Sequence, residues 1–196
     1  MTTELDRTLG APDGGGADVP RVLGLDIGGT KLAAGVVDPA GTVEAYRRSP
    51  TEVHRGPADV LDRLLGLARA VLDEAPGPVS AVGVGCGGPL DPRTGTILGP
   101  PGLPGWDHVP LVPLLRDALG LPAYLENDGS AGALGEYRWG GWRDASDLVY
   151  LTVSTGVGGG IVLDGRLRRG AAGNGGEPGH LVVDWQGRRC GCGQRG

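Results

Sequence analysis

The stretch Leu25-Asp26-Ile27-Gly28-Gly29-Thr30-Lys31 decides the fold of this chain. Apolar runs on both sides of it predict two β-strands, so the two glycines fall in the turn of a hairpin. Glycine in such a turn permits positive φ and lets backbone N–H groups approach an anion closely. Thr30 and Lys31 can donate to phosphate oxygens, and Asp26 is placed to hold Mg²⁺ through water. On this segment alone, a phosphate-binding turn and an ordinary Gly-Gly hairpin turn both stay open.

The bulk composition restricts the function classes. The chain has 196 residues. Its net charge of −5 and its pI near 5.1 argue against a nucleic-acid-binding surface. No stretch reaches the roughly 18 apolar residues of a membrane span, and the acidic N-terminus lacks the basic start of a signal peptide. Three cysteines, two of them one residue apart, make a poor disulfide framework and fit a reducing compartment. The composition therefore predicts a cytoplasmic protein that binds neither nucleic acid nor membrane.

Glycine and proline clusters divide the chain into predicted elements. Residues 1–20 contain three consecutive glycines and no apolar periodicity, which predicts a disordered leader. Hydrophobic periodicity and turn residues then predict a series of strands (21–27, 31–38, 42–48, 80–85, 124–126, 148–153 and 160–163), helices (61–72, 110–119 and 129–137) and a long Gly/Pro loop at 87–104. Three strands in a meander followed by alternating helix and strand predict an α/β protein with the actin-like, ribonuclease H-like fold.

Two further segments carry candidate ligand-binding groups. Glu126-Asn127-Asp128 lies where a predicted strand ends and a helix begins, which is where parallel or mixed sheets present such groups. Asn127 and Asp128 also have a more ordinary interpretation, because both residue types commonly cap helices. A glycine-rich segment at 154–160 is either a flexible turn or a second phosphate-binding loop. Two such hairpins facing one another across a cleft would hold the phosphates of a nucleotide from both sides.

One histidine and two cysteines lie close together near the end of the sequence. His180, Cys190 and Cys192 offer three of the four ligands of a tetrahedral structural zinc site. A lone Cys-x-Cys pair is as compatible with redox activity, or with no function, as with metal binding. Cys86 has no histidine near it in sequence, and we predict that it is a small buried residue at a strand end.

These motifs, in this order and spacing, resemble the ROK family, named for repressors, open reading frames and sugar kinases. The resemblance covers about residues 21–196. It rests on seven segments, which are residues 26–31, 88–91, 103–106, 126–128, 155–160, 176–180 and 190–196. Each segment is weak alone, whereas the ordered series is highly specific.

The resemblance implies roles for individual residues. In kinases of this family the aspartate matching Asp128 is the catalytic base, and the asparagine matching Asn127 contacts the sugar. The residues matching Glu177 and His180 also contact the sugar, and that histidine binds zinc together with cysteines that here include Cys190 and Cys192. The implied nucleotide-binding residues are Asp26, Gly28, Gly29, Thr30, Lys31, Thr155, Gly156, Gly158 and Gly159. The implied cofactors are ATP, Mg²⁺ and a structural Zn²⁺, and the full-length protein would be a homo-oligomer.

The sequence departs from the family pattern in ways that bear on completeness and on the sugar. The family's third cysteine and a sugar-binding glutamate would follow Gly196, and the family continues well beyond them. The resemblance therefore implies a first lobe at 21–126, the incomplete start of a second lobe with its zinc-binding loop at 127–196, and a truncated chain that is inactive by itself. Several substitutions leave the sugar preference open, namely those at Gly102, Gly129, Ser130, Gly132 and Pro178.

Three interpretations are compatible with the family. The first is ATP-dependent phosphorylation of a hexose, with glucose to glucose 6-phosphate as the first expectation and Asp128 as general base. The second is a sugar-responsive transcriptional regulator, which would carry a winged helix-turn-helix before the sugar domain. The 25 residues before Asp26 are Gly/Pro-rich and acidic, so we expect no recognition helix there and favour the kinase. The third is a non-catalytic fragment of a kinase.

Overall fold

The computed structural model describes residues 20–143, 145–154, 156–171, 173, 175–190 and 192–196, so the predicted leader at 1–20 lies almost wholly outside the described residues. The larger part of the fold is a five-stranded sheet. Three strands, β1 (Arg21–Ile27), β2 (Lys31–Val37) and β3 (Val43–Pro50), form an antiparallel meander. Two more, β4 (Val79–Cys86) and β7 (Ala123–Asn127), continue the sheet parallel to β1, in the order β3-β2-β1-β4-β7. The predicted meander and its α/β continuation are confirmed.

Two helices pack on this sheet and enclose the core. Helix α1 (Pro57–Asp73) begins with a proline, whose fixed φ suits the first helical turn, and contacts β2 and β3. It buries Val60, Leu64, Leu65, Ala68 and Val71, at the helical spacing that the sequence predicts. Helix α2 (Leu111–Leu119) contacts β7 and ends at Gly120, whose φ of 67° is the left-handed conformation that favours glycine. Trp106, only 1% exposed, is the largest of the fully buried side chains between these elements.

A smaller antiparallel sheet follows the first. Its strands are β8 (Leu148–Val153), β9 (Val157–Leu163) and β10 (Arg166–Leu167), in the order β10-β9-β8. Helix α3 (Asp128–Trp139) joins the two sheets, because it contacts β4 and β7 of the first and β8 and β9 of the second. A Cβ at Gly129 would lie 2.4 Å from the carbonyl oxygen of Gly159. This close approach explains why glycine, a poor helix former, stands at the start of α3.

The segment between β4 and α2 differs from the predicted loop. It contains a short hairpin of β5 (Leu90–Asp91) and β6 (Thr96–Ile97), in which Ile97 is fully buried. The loop prediction was wrong here, and β10 was not predicted, because two-residue strands are too short to show an alternating pattern. In the part of the chain that the structure describes, no helix has both the length and the apolar character needed to cross a bilayer.

Candidate active site

The parallel strands of the first sheet bring three sequence motifs to one edge. β1, β4 and β7 run in the same direction, and their last residues are neighbours in register, with Ile27 beside Cys86 and Cys86 beside Asn127. The turn at residues 28–30 follows the first strand, Gly87 follows the second, and Asp128 follows the third. The carboxyl edge of such a sheet is where α/β proteins bind ligands.

A cleft opens between these strand ends and the loop at 100–103. Most of the residues that line it are glycines and prolines, and among the described residues that line it Asp128 alone is charged. The turn approaches the opposite wall closely, since a Cβ at Gly29 would lie 2.9 Å from the carbonyl oxygen of Gly102. Walls made mostly of glycine and proline leave room for a ligand, and a single carboxylate faces that space.

Helix capping and the free carboxylate belong to different residues. Asn127 is the N-cap of α3, and its Oδ1 accepts a hydrogen bond from the Ser130 N–H at 3.1 Å. Asp128 is the first residue of the helix, and its Oδ1 accepts from the Gly129 N–H at 2.8 Å. Its Oδ2 faces Gly87, where an added Cβ would lie 4.0 Å away. The capping interpretation therefore applies to Asn127, and among the described residues none donates a hydrogen bond to the second carboxylate oxygen of Asp128, which can serve a ligand.

The predicted hairpin turn at 28–30, which we call the glycine turn, is present. The Gly28 N–H donates to the Lys31 carbonyl at 2.9 Å and closes the turn. Among the residues that the structure describes, none accepts a hydrogen bond from the N–H groups of Gly29 and Thr30. Successive free N–H groups of this kind form an anion-binding concavity. The geometry is therefore compatible with phosphate binding as well as with a plain turn.

Asp26 lies near the end of β1, beside the glycine turn. Burial raises the pKa of its carboxyl above the ordinary value, with Lys31 acting in the opposite direction and the charge of Asp128 adding to the rise. The three groups are thus close enough to interact electrostatically. Carboxylates near a phosphate-binding turn are the oxygen donors that Mg²⁺ uses, commonly through water, so Asp26 fits the predicted metal role.

A second set of contacts links the end of β7 to Arg169 and Glu177. The Arg169 Nε donates to the Glu126 Oε2 at 2.6 Å, while the Asn127 N–H donates to the Glu126 Oε1 at 3.0 Å. The Asn127 Nδ2 donates to the Glu177 Oε1 at 3.5 Å. Two residues predicted to contact the sugar therefore lie together. Arg169 was missed by sequence reasoning, because its partner is 43 residues away and no periodicity relates them.

The three predicted zinc ligands also come together. The ligand atoms of His180, Cys190 and Cys192 all lie within 4.8 Å of one another, and the Cys190 Sγ is 3.9 Å from the His180 Nδ1. A tetrahedral zinc ion with bonds of about 2.0–2.3 Å spaces its ligand atoms roughly 3.5–3.8 Å apart. All three side chains are exposed. The donor set and its spacing therefore fit three positions of a zinc site.

The loop at the second glycine-rich segment, predicted at 154–160, ends earlier than predicted, because β9 begins at Val157. Thr155 lies outside the described residues, and the Ser154 N–H donates to the Gly156 carbonyl at 2.8 Å. Gly158 and Gly159 pair with β8 as part of β9, so their prediction as loop residues was wrong. A Cβ at Gly159 would lie 2.2 Å from the Tyr150 carbonyl oxygen, and this close packing accounts for the glycine. Among the described residues, none of this segment lines the cleft.

Cys86 lies at the end of β4 and is fully buried. Burial, together with the nearby charges of Asp128 and Asp26, raises the pKa of its thiol to about 12. A thiol with that pKa holds its proton at neutral pH and is a poor nucleophile. The prediction of a small buried residue is confirmed.

The sequence profile of the ROK family matches residues 22–196 of this chain. The chain belongs to the ROK family. A crystal structure of a ROK family glucokinase from Streptomyces griseus, in complex with glucose and AMPPNP, is 38% identical and superposes with a TM-score of 0.80, over 90% of this chain and 55% of that one. The fold is thus that of actin-like ATPase sugar kinases, with a first lobe and part of a second.

ROK relatives of this chain include a second kinase and a regulator. The N-acetylmannosamine kinase of Citrobacter koseri is 42% identical, with 89% of this chain and 58% of the relative covered. The xylose repressor of Caldicellulosiruptor bescii is 35% identical, with 91% of this chain and 45% of the repressor covered. The chain therefore spans about half the length of the ROK relatives it matches.

Proposed function

We propose that this chain carries the phosphoryl-transfer site of an ATP-dependent sugar kinase. The observation that supports it best is the alignment of the three parallel strand ends on one cleft. With that alignment, Gly28 and Gly29 of the glycine turn and Asp128 line the same opening. A kinase needs this combination, because it must bind phosphates and accept a proton from the attacking hydroxyl at adjacent positions.

Asp128 acts as the general base in this proposal. Its Oδ2 accepts the proton of a sugar hydroxyl as that oxygen attacks the γ-phosphoryl group, and the bond to the leaving ADP breaks. The N–H groups of Gly29 and Thr30 and the ammonium group of Lys31 bind phosphate oxygens and oppose their charge. Mg²⁺, held through water by Asp26, would supply further charge neutralisation when bound.

The sugar would lie between the start of α3 and the segment 168–180. Asn127 and Glu177 already contact one another there, and both offer polar atoms to sugar hydroxyls. Zinc bound by His180, Cys190 and Cys192 would hold the shape of this segment. Because the His180 Nδ1 faces Cys190, the other ring nitrogen stays free to contact the sugar. The S. griseus enzyme, whose structure contains glucose and AMPPNP, supports glucose and ATP as the first choices.

The test compares several sugars as substrates, and compares this chain with a fusion that completes the second lobe. ADP release is measured with glucose, N-acetylmannosamine and xylose, for this chain and for a fusion of it to the remaining C-terminal part of the S. griseus glucokinase, of which it spans 55%. We expect glucose-dependent ADP release by the fusion and none by the chain alone. A fusion that folds and binds Mg–ATP but phosphorylates none of the sugars would contradict the proposal. The division into lobes at residue 126, the homo-oligomer and the nucleotide-binding roles of Thr155, Gly156, Gly158 and Gly159 stay predictions.

A further inference from the structure

Thr51 is a buried polar residue directly after β3. Its side chain is 0% exposed. The Thr51 Oγ1 donates to the Gly28 carbonyl at 2.6 Å, and the Thr51 N–H donates to the Thr30 carbonyl at 3.0 Å. One buried residue therefore makes hydrogen bonds to both ends of the glycine turn.

These two bonds bear on how the turn presents its donors. In a trans peptide group the C=O and the following N–H point in opposite directions. Holding the Gly28 carbonyl towards Thr51 therefore aims the Gly29 N–H away from Thr51. A turn that contains two glycines has much conformational freedom. The hydrogen bond from Thr51 to the Gly28 carbonyl therefore restricts the direction of the Gly29 N–H, which the sequence alone would leave unrestricted.

Arg63, on α1, in turn hydrogen-bonds to Thr51. The Arg63 Nη1 donates to the Thr51 carbonyl at 3.1 Å and also to the Glu52 Oε2 at 3.0 Å. Glu52 has a φ of 53°, a left-handed conformation that is uncommon for a residue other than glycine. The N–H, hydroxyl and carbonyl groups of Thr51 are thus all engaged, and the chain turns sharply immediately after it.

We infer that Thr51 is a positioning residue, which holds the glycine turn in the conformation that binds the nucleotide phosphates. This inference rests on the proposed function. It requires the hydroxyl of Thr51 specifically, because a buried side chain of the same shape without a donor would leave the Gly28 carbonyl unanchored. Its effect should appear in nucleotide binding and not in sugar binding, since Thr51 hydrogen-bonds to the glycine turn, whereas Glu177 hydrogen-bonds to Asn127.

The test substitutes Thr51 in the fusion to the C-terminal part of the S. griseus glucokinase and measures binding of Mg–ATP and, separately, of glucose by titration calorimetry. Thr51→Val keeps the shape and removes the donor, and we expect the Kd for Mg–ATP to rise about three- to tenfold, the range that one lost hydrogen bond produces. Thr51→Ser keeps the donor and should bind Mg–ATP within about twofold of wild type. Both variants should leave the Kd for glucose unchanged.

A second pair of variants covers the case in which Thr51→Val does not fold. Arg63→Gln removes the hydrogen bond to the Thr51 carbonyl from outside the core and should also weaken Mg–ATP binding. Arg69→Gln, an exposed arginine on the same helix, is the matched control and should not.

The possible outcomes separate this inference from the function it rests on. Suppose that wild type binds Mg–ATP. If the folded Thr51 and Arg63 variants bind Mg–ATP equally well, or if they lose affinity for glucose and for Mg–ATP together, the inference is overturned and the proposed function stands. If the wild-type fusion folds but binds no Mg–ATP, both are overturned. Selective loss of nucleotide affinity in Thr51→Val, restored in Thr51→Ser, supports the positioning role, because a purely structural residue would not separate the two ligands.

Discussion

Replacing Asp128 by asparagine tests the proposed general base with little disturbance of the fold. The asparagine Oδ1 can still accept the Gly129 N–H, which now donates at 2.8 Å, and the helix cap is supplied by Asn127. The variant loses a negative charge at a helix N-terminus, a stabilising interaction of about 0.3–1 kcal/mol. It also removes repulsion with Asp26, whose pKa the charge of Asp128 helps to raise. We therefore expect the free energy of unfolding to change by less than about 1 kcal/mol.

The effect on the reaction should be far larger. An amide cannot accept the hydroxyl proton, and loss of a general base slows turnover about 10²–10⁴-fold, which corresponds to roughly 3–5 kcal/mol in the barrier. The assay is glucose-dependent ADP release by the fusion at saturating Mg–ATP, with calorimetric unfolding of the same samples. The KM for glucose should change little, because asparagine still forms hydrogen bonds to the sugar.

Asp62→Asn is the matched control, since Asp62 is an exposed aspartate on α1. It should retain the wild-type turnover. If Asp128→Asn keeps more than about a third of the wild-type rate, the carboxylate is not a general base, whose removal costs far more. Asp128 would then serve only at the start of the helix.

Three further predictions concern the glycine turn, the buried carboxylate and the metal site. Gly29→Val places a Cβ 2.9 Å from the Gly102 carbonyl oxygen, so we expect titration calorimetry to show at least about a tenfold loss of Mg–ATP affinity, and unchanged affinity would exclude the turn from the site. Because the pKa of Asp26 is raised, the native state binds the proton of this carboxyl more tightly than the unfolded chain does. The contribution of Asp26 to the free energy of unfolding therefore falls as the pH rises from the carboxyl's ordinary pKa to its raised pKa in the native state. Asp26→Asn should therefore unfold at a higher temperature than wild type at neutral pH, with the difference shrinking towards about pH 4, and a difference independent of pH would refute the reasoning. Cys190→Ser should lower the zinc content measured by atomic absorption and reduce the effect of a chelator on the unfolding temperature, whereas equal zinc in both proteins would contradict the site.

Local patterns predicted most of the regular elements. The bounds of β1 and β8 match their predictions, because each is an apolar run closed by glycine or polar turn residues. The helical spacing of leucine and valine predicted α1, although its first turn begins earlier, at Pro57. The glycines of 154–160 show the limit of such patterns, because a glycine needed for close packing within a strand looks the same in sequence as one needed for a turn.

The site residues likewise fall into two groups, those that local motifs identify and those whose roles depend on distant partners. Asp26, Asp128 and the His180, Cys190 and Cys192 set could be singled out in the sequence, because each belongs to a compact motif of chemically suitable residues. Arg169 and Thr51 could not, since arginine and threonine at those positions carry no local signal. Their roles depend on partners, Glu126 and Gly28, that are distant in the chain.

The sequence by itself determined the local features of this protein, namely the glycine turn, most of the helices and strands and the motifs of the ROK family. These follow from periodicity and from conformational preferences that act within a few residues. Only the tertiary structure decided that the glycine turn and Asp128 face one cleft, and that Asn127 caps α3 while Asp128 keeps a free oxygen. The physical reason is that strand order and register bring these groups together, and both are set by side-chain packing between segments far apart in the chain.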